Sequence, residues 1–318
     1  MRASALLLLS ALLAGCGARS DLEGSVSGAG TGAGSCAPEL VFDVLDDGVN
    51  LFVMRADGSH RRALKLPDPL ARYAAFTPDG ASLLYIRFAP DGVDSSVVVY
   101  DLATGATRTV ATGSTLSYPS VSPDGQTIGY TANLDVRLVD FDGSNDRLLL
   151  QGPFDAGCCE WGYGHPSFTP DSKTVLYGTA GIVGAIGADG TNNRTLISED
   201  FAVIWYPNPG LSPDAQRLAA VVSCDDDVSD LRVYPFASLP AACETGTVLT
   251  PADASEGGEQ GNNPAWGSMG LIAFAQDSDV FVVDEAGGTP TNLTASLTAG
   301  TQTLACNPVW SPACAVLP

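Results

Sequence analysis

Six segments of this 318-residue chain repeat one short pattern. "YPSVSPDGQTIGY" at 118–130 has near-copies in "YAAFTPDGASLLY" (73–85), "HPSFTPDSKTVLY" (165–177) and "NPGLSPDAQRLAA" (208–220). "NPAWGSMGLIAFA" (263–275) keeps the frame without the Pro-Asp, and "NPVWSPACAVL" (307–317) closes the chain. Pro78, Pro123, Pro170 and Pro213 follow one another at intervals of 45, 47 and 43 residues. A pattern returning at that period restricts the chain to an architecture in which each copy is one supersecondary unit.

Each copy divides into four strands. In the clearest one "YPSV" is strand A, and "SPDG" places Pro, Asp and Gly where a type I turn wants them. "QTIGYTA" is strand B, "DVRLVDF" strand C, "DG" a tight turn and "NDRLLL" strand D. Strands such as "SVVVY" (96–100) and "DVFVV" (279–283) are apolar without alternation, as a sheet covered on both faces requires. The 35 glycines and 21 prolines punctuate short β-branched and aromatic runs, and no 3.6-residue stripe follows residue 15. The fold class is all-β, with four-stranded antiparallel blades in a six-bladed propeller. The N-terminal "ELVFDVLDDGVNLFVMRADGSHRRALKL" supplies strands B, C and D without an A, and "NPVWSP" is an A with little after it. Pairing the C-terminal strand with the N-terminal blade closes the ring and removes its exposed edges.

On these residues the chain resembles the TolB-like, WD-type β-propeller repeats, whose pattern runs roughly Pro-x-aromatic-Ser-Pro-Asp-Gly into two strands. The likeness spans residues 39–318 and is specific for fold rather than function. TolB carries an α/β domain before its propeller, and residues 17–35 are too few to form one.

Residues 1–16, "MRASALLLLSALLAGC", have the plan of an export signal and are too short to span a bilayer. Leu13-Ala14-Gly15-Cys16 resembles the lipobox of bacterial lipoproteins, which implies cleavage before Cys16 and lipidation of its sulfur. The Gly/Ser/Ala-rich stretch that follows reads as a flexible tether. The domain plan is therefore a signal peptide over 1–15, a lipidated Cys and tether over 16–35, and a propeller over 36–318. The expected address is the bacterial outer membrane, facing the periplasm or displayed outside, with the lipid anchor as the only membrane contact and a monomer as the assembly. Gly17, where inner-membrane lipoproteins commonly have Asp, favours that address.

Following the chain up and down each blade sorts its connections onto two rims. The A–B and C–D turns make a turn rim, and the B–C and D–A connections make a loop rim. The longest connections, 151–165, 198–207 and 252–263, fall on the loop rim, which points to that end for function. Cys36 and Cys314 both fall on the turn rim of the composite blade, where a disulfide would staple the ring. Cys224 and Cys243 fall on opposite rims and could pair only if the 237–246 loop folded back. Pairing of Cys158, Cys159 and Cys306 stays open.

The residue just before strand A should ring the mouth of the central channel. Down the copies it is Tyr73, Tyr118, His165, Asn208, Asn263 and Asn307, a set able to donate and accept hydrogen bonds. Trp161, Tyr163, Trp205 and Tyr206 are nearby loop-rim aromatics that suit a sugar or a peptide terminus. Four aspartates in "CDDDVSD" (224–230) lack the spacing of an EF-hand loop and read as a solvated acidic loop.

No G-x-S-x-G, H-E-x-x-H or Walker loop is present, and the two histidines, His60 and His165, fall in different blades. No metal, no cofactor and no enzymatic activity are expected. The formal charge of −21 opposes polyphosphate binding, which removes nucleic acid as a partner. The expectation is a lipid-anchored scaffold that binds an envelope protein or polymer through its loop rim. One alternative is a small-molecule or glycan binder using the channel-mouth ring. Another is a hydrolase or lyase built on loop-rim carboxylates such as Asp155, Glu160, Glu199 and Asp200.

Overall fold

Every copy of the repeat forms an antiparallel sheet whose strands lie side by side in the order A-B-C-D. The computed structural model describes residues 37–45, 50–90, 92–152, 164–179, 181–198, 209–222, 224, 230–250, 263–276, 278–298, 304–312 and 315–318. In blade 2, for example, the strands are Ala71–Phe76, Ser82–Phe88, Asp94–Asp101 and Thr107–Ser114. Blade 3 follows with Leu116–Val121 as its strand A, and blade 4 with Gly164–Phe168. The six sheets make a six-bladed propeller.

Blade 1 is the composite one. Its strand A is Leu304–Trp310, which pairs antiparallel with Glu39–Leu45, setting Leu40 opposite Trp310 and Val44 opposite Ala305. The two ends of the propeller sequence thus share one sheet, and no inner strand is left without a partner at the seam.

The Ser/Thr-Pro-Asp turn recurs because its side chains satisfy the turn from within. Ser122 Oγ donates to Asp124 Oδ1 at 2.6 Å and accepts from the Thr127 amide at 2.9 Å. Asp124 Oδ1 also accepts from the Gln126 amide at 3.0 Å. Thr169 with Asp171, and Ser212 with Asp214, repeat the arrangement. The fourth turn position needs a left-handed backbone. Gly80 and Gly125 supply it freely, with φ of 69° and 71°, whereas Ser172 (60°) and Ala215 (56°) are forced into it.

Burial is between blades, as continuous apolar strands require. Leu84, Ile86 and Val97 of blade 2 pack with Ile128, Tyr130 and Val139 of blade 3. At the seam, Leu40 and Phe42 pack with Ala273 and Val280 of blade 6. Neither face of a blade could be buried without its neighbours, so the ring is stable only as a whole.

Two expectations are corrected. Tyr73, Tyr118, His165 and Asn307 do not precede strand A but lie inside it, at a bulge, whereas Asn263 does precede its strand, Ala265–Trp266. Cys224 and Cys243 do not stay on opposite rims, because they form a disulfide with Cα atoms 5.4 Å apart. After strand C of blade 5 (Asp230–Pro235), the chain turns through Phe236–Ser238 and runs back towards the loop rim. There Ala241 and Ala242 pair parallel with Ile197 and Ser198, adding a fifth strand to the sheet of blade 4. Cys243 follows at once and meets Cys224. Tyr234 donates to the Cys243 carbonyl at 2.6 Å and holds the returning segment down. Cys16, Cys36, Cys158, Cys159 and Cys314 lie outside the described residues. Cys306 is a buried thiol on strand A of blade 1.

Candidate functional site: the channel mouth

The innermost strands line a central cavity of about 300 Å³. Tyr73, Tyr118, His165, Asn263 and Asn307 all border it, near the end where strand A enters from the loop rim. Asn208, Trp161, Tyr163, Trp205 and Tyr206 lie outside the described residues, as do Asp155, Glu160, Glu199 and Asp200.

Four of the ring residues take the same unusual backbone. Tyr73, Tyr118, His165 and Asn307 have φ of 55°, 50°, 42° and 51°. Each sits where the A–B register slips: between Arg72 and Ala75, Ser117 and Ser120, Gly164 and Ser167, and opposite the Val41–Asp43 step. A bulge re-aims the side chain at that position out of the sheet. For Tyr73, Tyr118 and His165 the left-handed region costs roughly 1–2 kcal/mol each, while asparagine tolerates it, so the packing around the channel holds the three rings against their preference.

Proline follows the ring residue in five copies, as Pro119, Pro166, Pro209, Pro264 and Pro308. Strand A is the inner edge of its sheet, and proline there withdraws an N–H that could pair with an added strand. The wall is tight as well: a Cβ on Gly210 would lie 2.2 Å from the Pro264 carbonyl oxygen. Trp266 donates to the Gly210 carbonyl at 2.9 Å and Trp310 to that of Ala265 at 3.0 Å, which ties neighbouring inner strands around the circle.

The mouth has two chemically different halves. On one side three rings form an arc, Tyr73 to Tyr118 at 4.7 Å and Tyr118 to His165 at 5.4 Å between centroids, tilted by 59° and 53°. His165 Nδ1 is buried and has no hydrogen-bond partner among the described residues. Burial lowers the imidazole to about 4, so it is neutral at physiological pH. Burial also raises both phenols, Tyr73 to about 12.

On the other side lies a buried polar chain. Asn263 donates to Asn307 Oδ1 at 2.8 Å, and Asn307 donates to Asp43 Oδ2 at 2.7 Å. Asp43 has no exposed surface and accepts from the Tyr73 amide inside its bulge at 3.0 Å. Arg72 Nε stands 3.7 Å from the same carboxylate, while its guanidinium lies 4.7 Å over the Tyr73 ring. Burial outweighs Arg72 and the two hydrogen bonds and pushes the Asp43 carboxyl up to about 6. Asp43 and Arg72 neutralise one another, so the described residues of the mouth present polar groups without a free charge. Neither was singled out from the sequence. The signal was present, since Asp43 interrupts the apolar run "LVFDVL".

Among the described residues no cluster of His, Cys, Asp or Glu could hold a metal ion. No family model matches the chain, and no curated protein matches it. Solved structures do. The fold is that of the TolB propellers. Against TolB from Acinetobacter baumannii the TM-score is 0.67 at 16% identity, covering 88% of this chain and 68% of that one. A nidogen/laminin complex aligns at TM-score 0.61 and 15% identity, over 87% of this chain and 99% of that one. An oligogalacturonate lyase in complex with manganese gives 0.52 and 16%, over 84% and 73%. At these identities the likeness is one of fold.

Proposed function

We propose that this chain is a binding propeller of the bacterial cell envelope, anchored through lipid on Cys16, which engages a partner protein or envelope polymer through its loop rim without turning it over. The observation that carries the reading is the channel mouth. Four bulged residues are held in a left-handed backbone at the loop-rim end of strand A, and their side chains converge on one cavity. Strain kept at equivalent positions of several blades is a mark of a binding site, and a closed ring presents such a site with little to order on binding. The long 151–165, 198–207 and 252–263 connections, unlike one another in sequence, supply the variation a specific interface needs.

The test is a cross-linking pull-down of the full-length chain from its own envelope, read by mass spectrometry. A dominant partner cross-linked to loop-rim residues supports the proposal. Cross-links confined to the turn rim, or turnover of an envelope polymer by the purified chain, would refute it.

A second reading, a small-ligand site in the channel itself, is favoured by one further observation: the buried Nδ1 of His165, unpartnered among the described residues, beside the aromatic arc.

A further inference from the structure

The geometry points to an uncharged, hydroxyl-bearing sugar ring as the group that seats in the channel mouth, between the Tyr73–Tyr118–His165 arc and the Asn263–Asn307 amides. This rests on the second reading, a small-ligand site in the channel, and names the chemistry of its ligand.

Three features carry it. The first is size and shape. A cavity of about 300 Å³ is at the lower end of the range for small-ligand sites and admits one or two sugar rings rather than a folded segment. An arc of tilted aromatic rings on one wall offers faces to the C–H surface of a pyranose. Opposite it, the Asn263–Asn307–Asp43 chain makes the other wall polar.

The second is charge. A ligand bearing a carboxylate or an ammonium group would lose its hydration on entry and, among the described residues of the mouth, find no unpaired counter-charge. Asp43 is matched by Arg72, and His165 and both phenols are neutral. The chain's charge of −21 adds long-range repulsion against anionic sugars. A neutral sugar meets neither barrier. His165 Nδ1, buried without a partner among the described residues, is a hydrogen-bonding atom that a hydroxyl group would satisfy.

The third separates a sugar from an extended peptide. Strand addition draws its affinity from main-chain hydrogen bonds along an open edge. Five of the six inner strands carry proline directly after the ring residue, so the N–H groups that would bind a peptide's carbonyls are absent there. Side chains are what the mouth offers, and they suit hydroxyl groups.

The experiment is saturation-transfer NMR and calorimetry on the full-length chain in detergent. The probes are methyl glucoside, N-acetylglucosamine, cellobiose and chitobiose, with glucuronate, glucosamine and a capped neutral tripeptide as counterparts. At least one neutral saccharide should bind saturably, and about tenfold or more tighter than its charged counterpart. Tyr118→Ala should weaken that binding by about tenfold or more. His165→Asn, which tolerates the left-handed backbone, should do the same while keeping the melting temperature, which guards against a mere folding defect. Equal binding of the charged sugars, binding untouched by both variants, binding of the tripeptide alone, or no saccharide binding in the millimolar range would each overturn the assignment. A partner captured equally by wild type and Tyr118→Ala, with no saccharide bound, would sink the sugar assignment and leave the loop-rim reading standing.

Discussion

The side-chain amide of Asn307 donates to the buried carboxylate of Asp43 at 2.7 Å, across the seam where the last strand of the chain joins the first. The same carboxylate accepts from the Tyr73 amide in blade 2, and Asn307 accepts from Asn263 in blade 6. Two side chains of blade 1, Asp43 and Asn307, therefore tie three blades together at the point of closure, at the channel mouth. Arg72, Tyr73, Tyr118 and Cys306 are the other titratable groups that act on it or feel it.

Asp43→Asn keeps the shape but turns one acceptor oxygen into an NH2 group, which leaves the donor at Asn307 or the Tyr73 amide without an acceptor, so at neutral pH we expect a loss of about 1–3 kcal/mol. The pH dependence has a definite sign. In the native state the carboxyl is raised from its ordinary 3.8 to about 6, so between those values the folded chain binds more protons than the unfolded one. Stability contributed by this group is full below pH 3.8 and falls as pH rises towards 6. Denaturant titrations from pH 4 to 7 should show that decline in the wild type, and Asp43→Asn should flatten it.

The Cys224–Cys243 bond closes a short loop, 19 residues apart in sequence. Replacing both cysteines with serine should cost roughly 3 kcal/mol on the chain-entropy model, since the bridge restricts the unfolded loop. Equilibrium unfolding with and without reductant measures it. The returning segment that pairs with Ile197 and Ser198 should then lose hydrogen-exchange protection before the rest of blade 5.

At the fourth position of the repeated turn, Ala215 holds φ of 56° where two other copies have glycine. Ala215→Gly should stabilise the protein by about 1 kcal/mol, the relief of a left-handed alanine less the entropy of a freer residue. Ser172→Gly should act in the same direction, except that Ser172 Oγ accepts from the Asp124 amide and that bond would be lost. Thermal melting of the two variants should rank Ala215→Gly above Ser172→Gly.

Ser122→Ala removes both a donor to Asp124 and the acceptor of the Thr127 amide, for an expected loss of 1–2 kcal/mol, an order-of-magnitude figure for two hydrogen bonds. The Ser122 hydroxyl, with the Gln126 amide, holds Asp124 below its ordinary 3.8. A depressed carboxylate adds stability above its unfolded value and loses it as pH falls through the folded one. The variant should therefore show less acid-induced loss from this turn than the wild type, which NMR titration of Asp124 would follow directly.

The blades and their closure were legible because each copy and each end of the repeat region is written locally. "SPDG" carries its own hydrogen-bond chemistry, and a 45-residue spacing between Pro78 and Pro123 is a sequence property. What escaped was non-local. Asp43, Arg72 and Asn307 meet only once the ring is closed, across 264 positions from Asp43 to Asn307. The return of residues 236–246 depends on an open edge in the preceding blade, which strand counting within one copy cannot reveal. The bulge at Tyr73 was also hidden, because its strand reads as regular and only pairing with Leu84 and Ile86 displays the extra residue.

The most direct test of the account is where a partner touches the propeller. A photo-cross-linking amino acid would replace Asn133, exposed in a B–C connection of the loop rim, or Asp189, exposed in a C–D turn of the opposite rim, in the full-length chain within its own envelope. Binding through the loop rim predicts a specific, saturable adduct from position 133 and none from position 189. An adduct from position 189 alone would contradict it.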